Sequence, residues 1–64
     1  MCLSTAYIGT EESEEGRLCE YVTSVSSDGG TLRLTDISGE VVEVDGSIRS
    51  VDMIRNVIFI NKAG

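Results

Sequence analysis

The chain has 64 residues, with 11 acidic and 5 basic side chains, a net charge of −6 and no histidine. This length predicts one domain, residues 1–64, with a thin stability margin. The acidic charge argues against nucleic-acid binding, because proteins bind nucleic acids through basic side chains that neutralise the phosphates. No apolar run approaches the roughly 20 residues that a membrane span needs. The start lacks the pattern of a signal peptide, so we expect a cytoplasmic protein with reduced thiols.

The first half of the chain alternates between extended segments and turn residues. Residues 2–8 favour a strand, and the polar loop 9–16 follows. Its glutamates lack the alternating pattern of a calcium loop, so we interpret them as solvated surface. Segment 17–27 is a longer predicted strand, and Asp28-Gly29-Gly30 after it is a turn signal. The next predicted strand is 31–36, in which Leu32 and Leu34 face inward. Alternation along 17–27 is partial, and it predicts one face with Tyr21, Thr23 and Val25 and the other with Leu18, Glu20, Val22 and Ser24.

The second half of the chain also alternates between extended segments and turn residues. Residues 40–44 form a predicted strand that ends at the hairpin signal Asp45-Gly46. Residues 48–54 form the next strand, and Arg55-Asn56 makes a tight turn, because Asn tolerates the left-handed region. The last strand, 57–61, is apolar on both faces, which indicates a strand that is central or that covers something on its second side.

The resulting fold class is all-β, because about six short strands recur at a spacing of about 8–12 residues. No helical periodicity of useful length interrupts them. We therefore predict a small antiparallel β-barrel of the SH3-like or Sm-like type, whose closure removes exposed sheet edges.

Catalysis has little support in the sequence. Without histidine there is no nucleophile–base pair. Glu43 and Asp45 share a strand face and could imitate an acid/base pair, but solvated surface acids are the simpler interpretation. A domain of this size also has little room for a concave pocket. We expect a protein that is not an enzyme.

Cys2 is the residue best suited to binding a metal. Initiator methionine is generally removed before a small residue, and Cys2 would then carry a free amine beside its thiol. A thiolate and a nitrogen suit Ni(II), Cu or Zn(II). One cysteine cannot complete a four-coordinate site, but two chains related by a two-fold axis could. If Met1 is retained, a backbone amide nitrogen must replace the amine. The alternative is that Cys2 is an ordinary small apolar residue of the first strand.

Cys19 lies inside the second predicted strand. The simplest interpretation is a buried, reduced thiol. A disulfide with Cys2 and a role as a second metal ligand both stay open, because the spacing does not decide whether the two residues oppose each other.

The two ends of the chain resemble the CooT family of small nickel-binding proteins. The start Met1-Cys2-Leu3 and the segment 48–60, IRSVDMIRNVIFI, carry this resemblance. Val51-Asp52-Met53 matches the family's Val-Asp-Leu-like element, with Met in place of the usual Leu. Asn56 stands where a turn glycine is common. The strands between the two ends match in pattern only.

The resemblance implies a homodimer that binds Ni(II) through Cys2 of both chains. It also implies a nickel chaperone that helps to mature a nickel enzyme such as carbon monoxide dehydrogenase. Members of the family are also described as predicted RNA-binding proteins, which the acidic charge of this chain opposes. The alternative function is a small-barrel module that binds RNA or a protein partner without metal. It predicts that Arg33, Arg49 and Arg55 cluster.

Overall fold

The computed structural model describes residues 3–63, and within them all regular structure is β-strand. The five strands are β1 (Ser4–Ile8), β2 (Arg17–Asp28), β3 (Thr31–Asp36), β4 (Val41–Asp52) and β5 (Val57–Lys62). They form a closed barrel in chain order. Consecutive strands pair antiparallel, whereas β5 closes the ring by pairing parallel to β1. The prediction of a small all-β barrel is confirmed, with one parallel pairing that local sequence patterns do not reveal.

The structure has five strands where about six were predicted, because β4 continues through Asp45-Gly46. The predicted hairpin at these two residues is wrong. Asp45 pairs with Thr31 of β3, and the next residue, Gly46, pairs with Lys62 of β5. A side chain at Gly46 would run into the backbone carbonyl of Asn61. Glycine is therefore needed for close approach between two strands, at the point where β4 changes partners.

The core fills the inside of the barrel with aliphatic side chains from every strand. Leu32 and Leu34 face inward as predicted, and each is almost completely buried. The buried residues that form this cluster are Ala6, Val22, Leu32, Leu34, Val44, Ile58 and Ile60. Burial of this apolar surface is the main force that holds the barrel together.

A β-bulge in β2 breaks the alternation that the sequence predicts. The pairing of β2 with β3 shifts register between Val22 and Ser24. As a result Val22 is buried and Val25 also packs against the core, although the sequence predicted them on opposite faces. Tyr21, with a positive φ of 57° and an exposed side chain, lies between Cys19 and Val22, where the pairing of β2 with β1 also shifts register. The extra residue of a bulge reverses the direction of the side chains that follow it, so the predicted faces of this strand are wrong beyond Val22.

β5 pairs with β1 and β4, as every strand of the closed barrel pairs with two neighbours, so its two apolar faces are explained by what covers each face. Ile58 and Ile60 point into the core. Val57 is outside that cluster but is only 3% exposed. The ring of Phe59 lies 6.0 Å from the ring of Tyr7, measured between centroids. Most of the apolar surface of β5 is thus covered within one chain.

Candidate metal centre and its surroundings

The predicted ligand Cys2 lies outside the described residues, which begin at residue 3. β1 begins between β2 and β5, where Ser4 pairs with Val22 and Thr5 pairs with Val57. The Thr5 N–H donates a hydrogen bond of 3.0 Å to the carbonyl of Asn56. The start of β1, which follows Cys2 closely in the sequence, therefore adjoins the turn 53–56.

The turn 53–56 has a well-defined conformation. Oδ1 of Asp52 accepts hydrogen bonds from the N–H groups of Ile54 and Arg55, at 3.0 and 2.9 Å. Asn56 adopts the left-handed conformation that the sequence predicts, with φ of 57°. The Arg55 guanidinium forms an ion pair with Glu12, which ties the turn to the loop 9–16. Together these contacts stabilise the conformation of the turn.

The same turn displays two large apolar side chains. Met53 is 81% exposed and Ile54 is 94% exposed. On the other flank of β1, Tyr21 immediately precedes Val22 and is also exposed. Its carbonyl accepts a 3.0 Å hydrogen bond from the N–H of Ile37, another exposed residue. Exposed apolar side chains therefore occur on both sides of the start of β1.

Cys19 is poorly suited to be a metal ligand. It lies opposite Ala6 in the pairing of β1 with β2 and packs partly against the core. Burial raises the pKa of its thiol, and the charges of Asp36, Glu20 and Glu40 raise that pKa further. The thiolate is the form that binds metals, so a raised pKa weakens Cys19 as a ligand. Its side chain is half-buried rather than fully buried as predicted, and it has no disulfide partner among the described residues.

No group of three or more Cys, Asp or Glu side chains converges within residues 3–63 in a way that could hold a metal ion. Glu43 forms a 3.2 Å ion pair with Arg33, and Asp45 accepts a 2.9 Å hydrogen bond from Thr31. These two carboxylates are thus engaged with neighbouring side chains on an open surface. The described part of the chain also contains no pocket.

The three arginines of the alternative function each have a separate partner. Arg33 of β3 pairs with Glu43, and Arg55 of the turn 53–56 pairs with Glu12. Arg49 of β4 donates a 3.1 Å hydrogen bond to Oδ1 of Asn61. Because two of the three guanidinium groups are matched with carboxylates, their charge is locally compensated. This arrangement does not favour binding to a polyanion.

In the stretch from residue 3 to residue 63, no helix is long and apolar enough to cross a membrane.

Comparisons with known proteins point to one family. The family model described as "CO dehydrogenase accessory protein CooT" matches residues 1–61. A crystal structure assigned to CooT of Carboxydothermus hydrogenoformans is similar with a TM-score of 0.84, covering 98% of this chain and 100% of that chain. Its sequence is 19% identical, so this similarity shows the fold alone. No curated protein matches the chain.

Proposed function

Because the chain belongs to the family of the CO dehydrogenase accessory protein CooT, we propose that it binds Ni(II) at a homodimer interface. It supplies this metal during maturation of a nickel enzyme such as carbon monoxide dehydrogenase. The family is one of accessory proteins, so the chain is not itself an enzyme. The ligand is Cys2 of each chain, with the nitrogen of the same residue as the second donor. The thiols stay reduced in the cytoplasm, where this function places the protein.

The observation that carries the proposal is that the family match begins at residue 1 and therefore includes Cys2. The chemistry of the other donors supports it. The sequence has no histidine, and the thiol of Cys19 has a raised pKa. The described carboxylates do not converge. Cys2 therefore supplies the best donor set in the chain for a borderline metal such as Ni(II).

The need for two chains follows from the number of donors. A thiolate and a nitrogen of one chain occupy two coordination positions, whereas a square-planar Ni(II) site has four. A two-fold axis near Cys2 brings in the same pair from the second chain. The metal is cargo for delivery, and a site at the edge of two protomers can open when the protomers separate.

A nickel titration of the untagged protein, followed by ultraviolet–visible absorption, tests the proposal. Charge-transfer bands from thiolate to Ni(II) should grow and saturate at one metal per two chains. Cys2→Ser should abolish these bands, whereas the matched variant Cys19→Ser should keep them. Tight nickel binding by a folded Cys2→Ser protein would show that the proposed ligand is wrong.

A further inference from the structure

We propose that the free edge of β4, defined as residues 41–43, binds an extended, basic segment of another protein, which pairs with it as an additional strand. β4 changes partners at Gly46, so that residues 41–45 pair with β3 and residues 46–52 lie along β5. Within residues 3–63, the first part of β4 therefore has a partner strand on one side only. An unpaired strand edge can accept a further strand through main-chain hydrogen bonds. This contact needs no metal, so it goes beyond the proposed function.

The main-chain groups of Val41 and Glu43 point to the open side of β4. The carbonyl of Asp45 accepts a 2.8 Å hydrogen bond from the N–H of Ala63, so the main-chain groups of Asp45 point away from β3. The direction of these groups alternates along an antiparallel strand, and the pairing of β3 with β4 has no register shift. The N–H and C=O groups of Val41 and Glu43 therefore also point away from β3. No strand in the described part of the chain pairs with them there.

The outer face of this edge is accessible to the side chains of an incoming strand. Val41, Glu43 and Asp45 are exposed, whereas Val42 is half-buried and Val44 is buried. A strand added at the edge would place alternate side chains beside the exposed residues, as cross-strand neighbours. Main-chain hydrogen bonds give such a contact its affinity, and these side-chain neighbours give it specificity.

The charge of the exposed row selects a basic occupant. Glu40, Glu43 and Asp45 are exposed carboxylates, and Glu43 pairs with the guanidinium of Arg33 at 3.2 Å. The Asp45 carboxylate accepts a hydrogen bond from the neutral hydroxyl of Thr31, which leaves its charge in place. Three carboxylates therefore lie beside one cation, and the row is negative. Opposite charges on neighbouring strands are favourable, so a lysine or arginine on the incoming strand stabilises the pairing.

The same charges disfavour a second copy as the occupant of the edge. Each chain has a net charge of −6, and pairing of two such edges would bring the carboxylates of Glu43 and Asp45 close to those of the other copy. Charged side chains on an edge strand are a common protection against this kind of self-pairing. A basic strand converts the repulsion into attraction, because its charges have the opposite sign.

Amide hydrogen exchange of the full chain, read by NMR, tests the proposal. In the free protein, the amides of Val41 and Glu43 should exchange faster than those of Val42 and Val44, which point to β3. The probe is a capped synthetic peptide of alternating residues, Lys-Val-Lys-Val-Lys. It should slow exchange at Val41 and Glu43, and high NaCl should weaken its binding. The same peptide with N-methylated amides and the acidic peptide Glu-Val-Glu-Val-Glu are the controls, and neither should bind.

Two substitutions at Val41 separate the main chain from the side chain. Val41→Pro removes the N–H that points to the open side, and proline is tolerated as the first residue of a strand. The barrel should stay folded by circular dichroism. Anisotropy of the fluorescein-labelled lysine peptide should show binding about fivefold weaker, which corresponds to one lost hydrogen bond. Val41→Thr is the matched control, because it keeps the N–H, and it should bind like the wild type.

Slow exchange at Val41 and Glu43 without peptide would overturn the proposal, because the edge would then already be covered by a second copy or within the chain. Failure of the lysine peptide to protect these amides would also overturn it. So would equal binding of the N-methylated or the acidic peptide. If Val41→Pro unfolds the chain, the N-methylated peptide still decides the question on the wild type. The nickel titration is independent, so this contact and the metal site can fail separately.

Discussion

Gly46→Ala should destabilise the barrel strongly, because Gly46 is the residue at which β4 changes from β3 to β5. The added Cβ would overlap the carbonyl oxygen of Asn61 and lie 3.1 Å from the Cα of Lys62. Both contacts are backbone, so relief requires β4 and β5 to separate locally. Overpacking of this kind costs about 3 kcal/mol. The total stability of a chain of this length is only about 3–10 kcal/mol. The substitution should therefore remove roughly 30% or more of that stability.

The assay is urea denaturation followed by circular dichroism. Gly29→Ala is the matched control, since Gly29 has a left-handed φ of 59° and open space around a Cβ. Its cost should stay near the 1–2 kcal/mol of a left-handed alanine. A second comparison is Gly46→Asn, which a hairpin turn would tolerate because Asn accepts positive φ. In the barrel it should cost at least as much as Gly46→Ala. A loss below about 1 kcal/mol for either Gly46 variant would refute the reasoning.

Three further predictions concern the core, a turn and the second thiol. Leu34 is fully buried, so Leu34→Ala should cost about 2–5 kcal/mol in the same assay. The hydrogen bonds from Ser38 and Glu40 lower the pKa of Asp36. The stabilisation of the folded state by the ionised Asp36 carboxylate should be complete above the ordinary pKa of about 3.9 and decline as the pH falls below it. Asp36→Asn should therefore lose less stability than the wild type between pH 7 and pH 3. In Cys2→Ser protein, the alkylation rate of Cys19 should rise with a midpoint above the ordinary thiol pKa, because burial and nearby carboxylates raise it.

Much of the barrel follows from short-range sequence patterns. The alternation of Leu32 and Leu34 places both in the core because successive side chains of a strand point to opposite faces. Asp28-Gly29-Gly30 and Asn56 lie in turns with positive φ at Gly29, Gly30 and Asn56, which are local backbone preferences. The identity of Cys2 as the candidate ligand also comes from the sequence, because it depends on the donor types that the chain contains.

The tertiary structure decided the features that depend on distant residues. Asp45-Gly46 carries the same local signal as a hairpin, but Gly46 is required by the approach of Asn61 on another strand. The bulge after Val22 depends on the register with β3, and the parallel closure of β1 on β5 depends on contacts across nearly the whole chain. The turn 53–56 lies beside the start of β1 only because the N–H of Thr5 binds the carbonyl of Asn56 in the folded barrel. Backbone preferences act over a few residues and can be seen in the sequence, whereas strand pairing is selected by the burial of surfaces that are far apart in the chain.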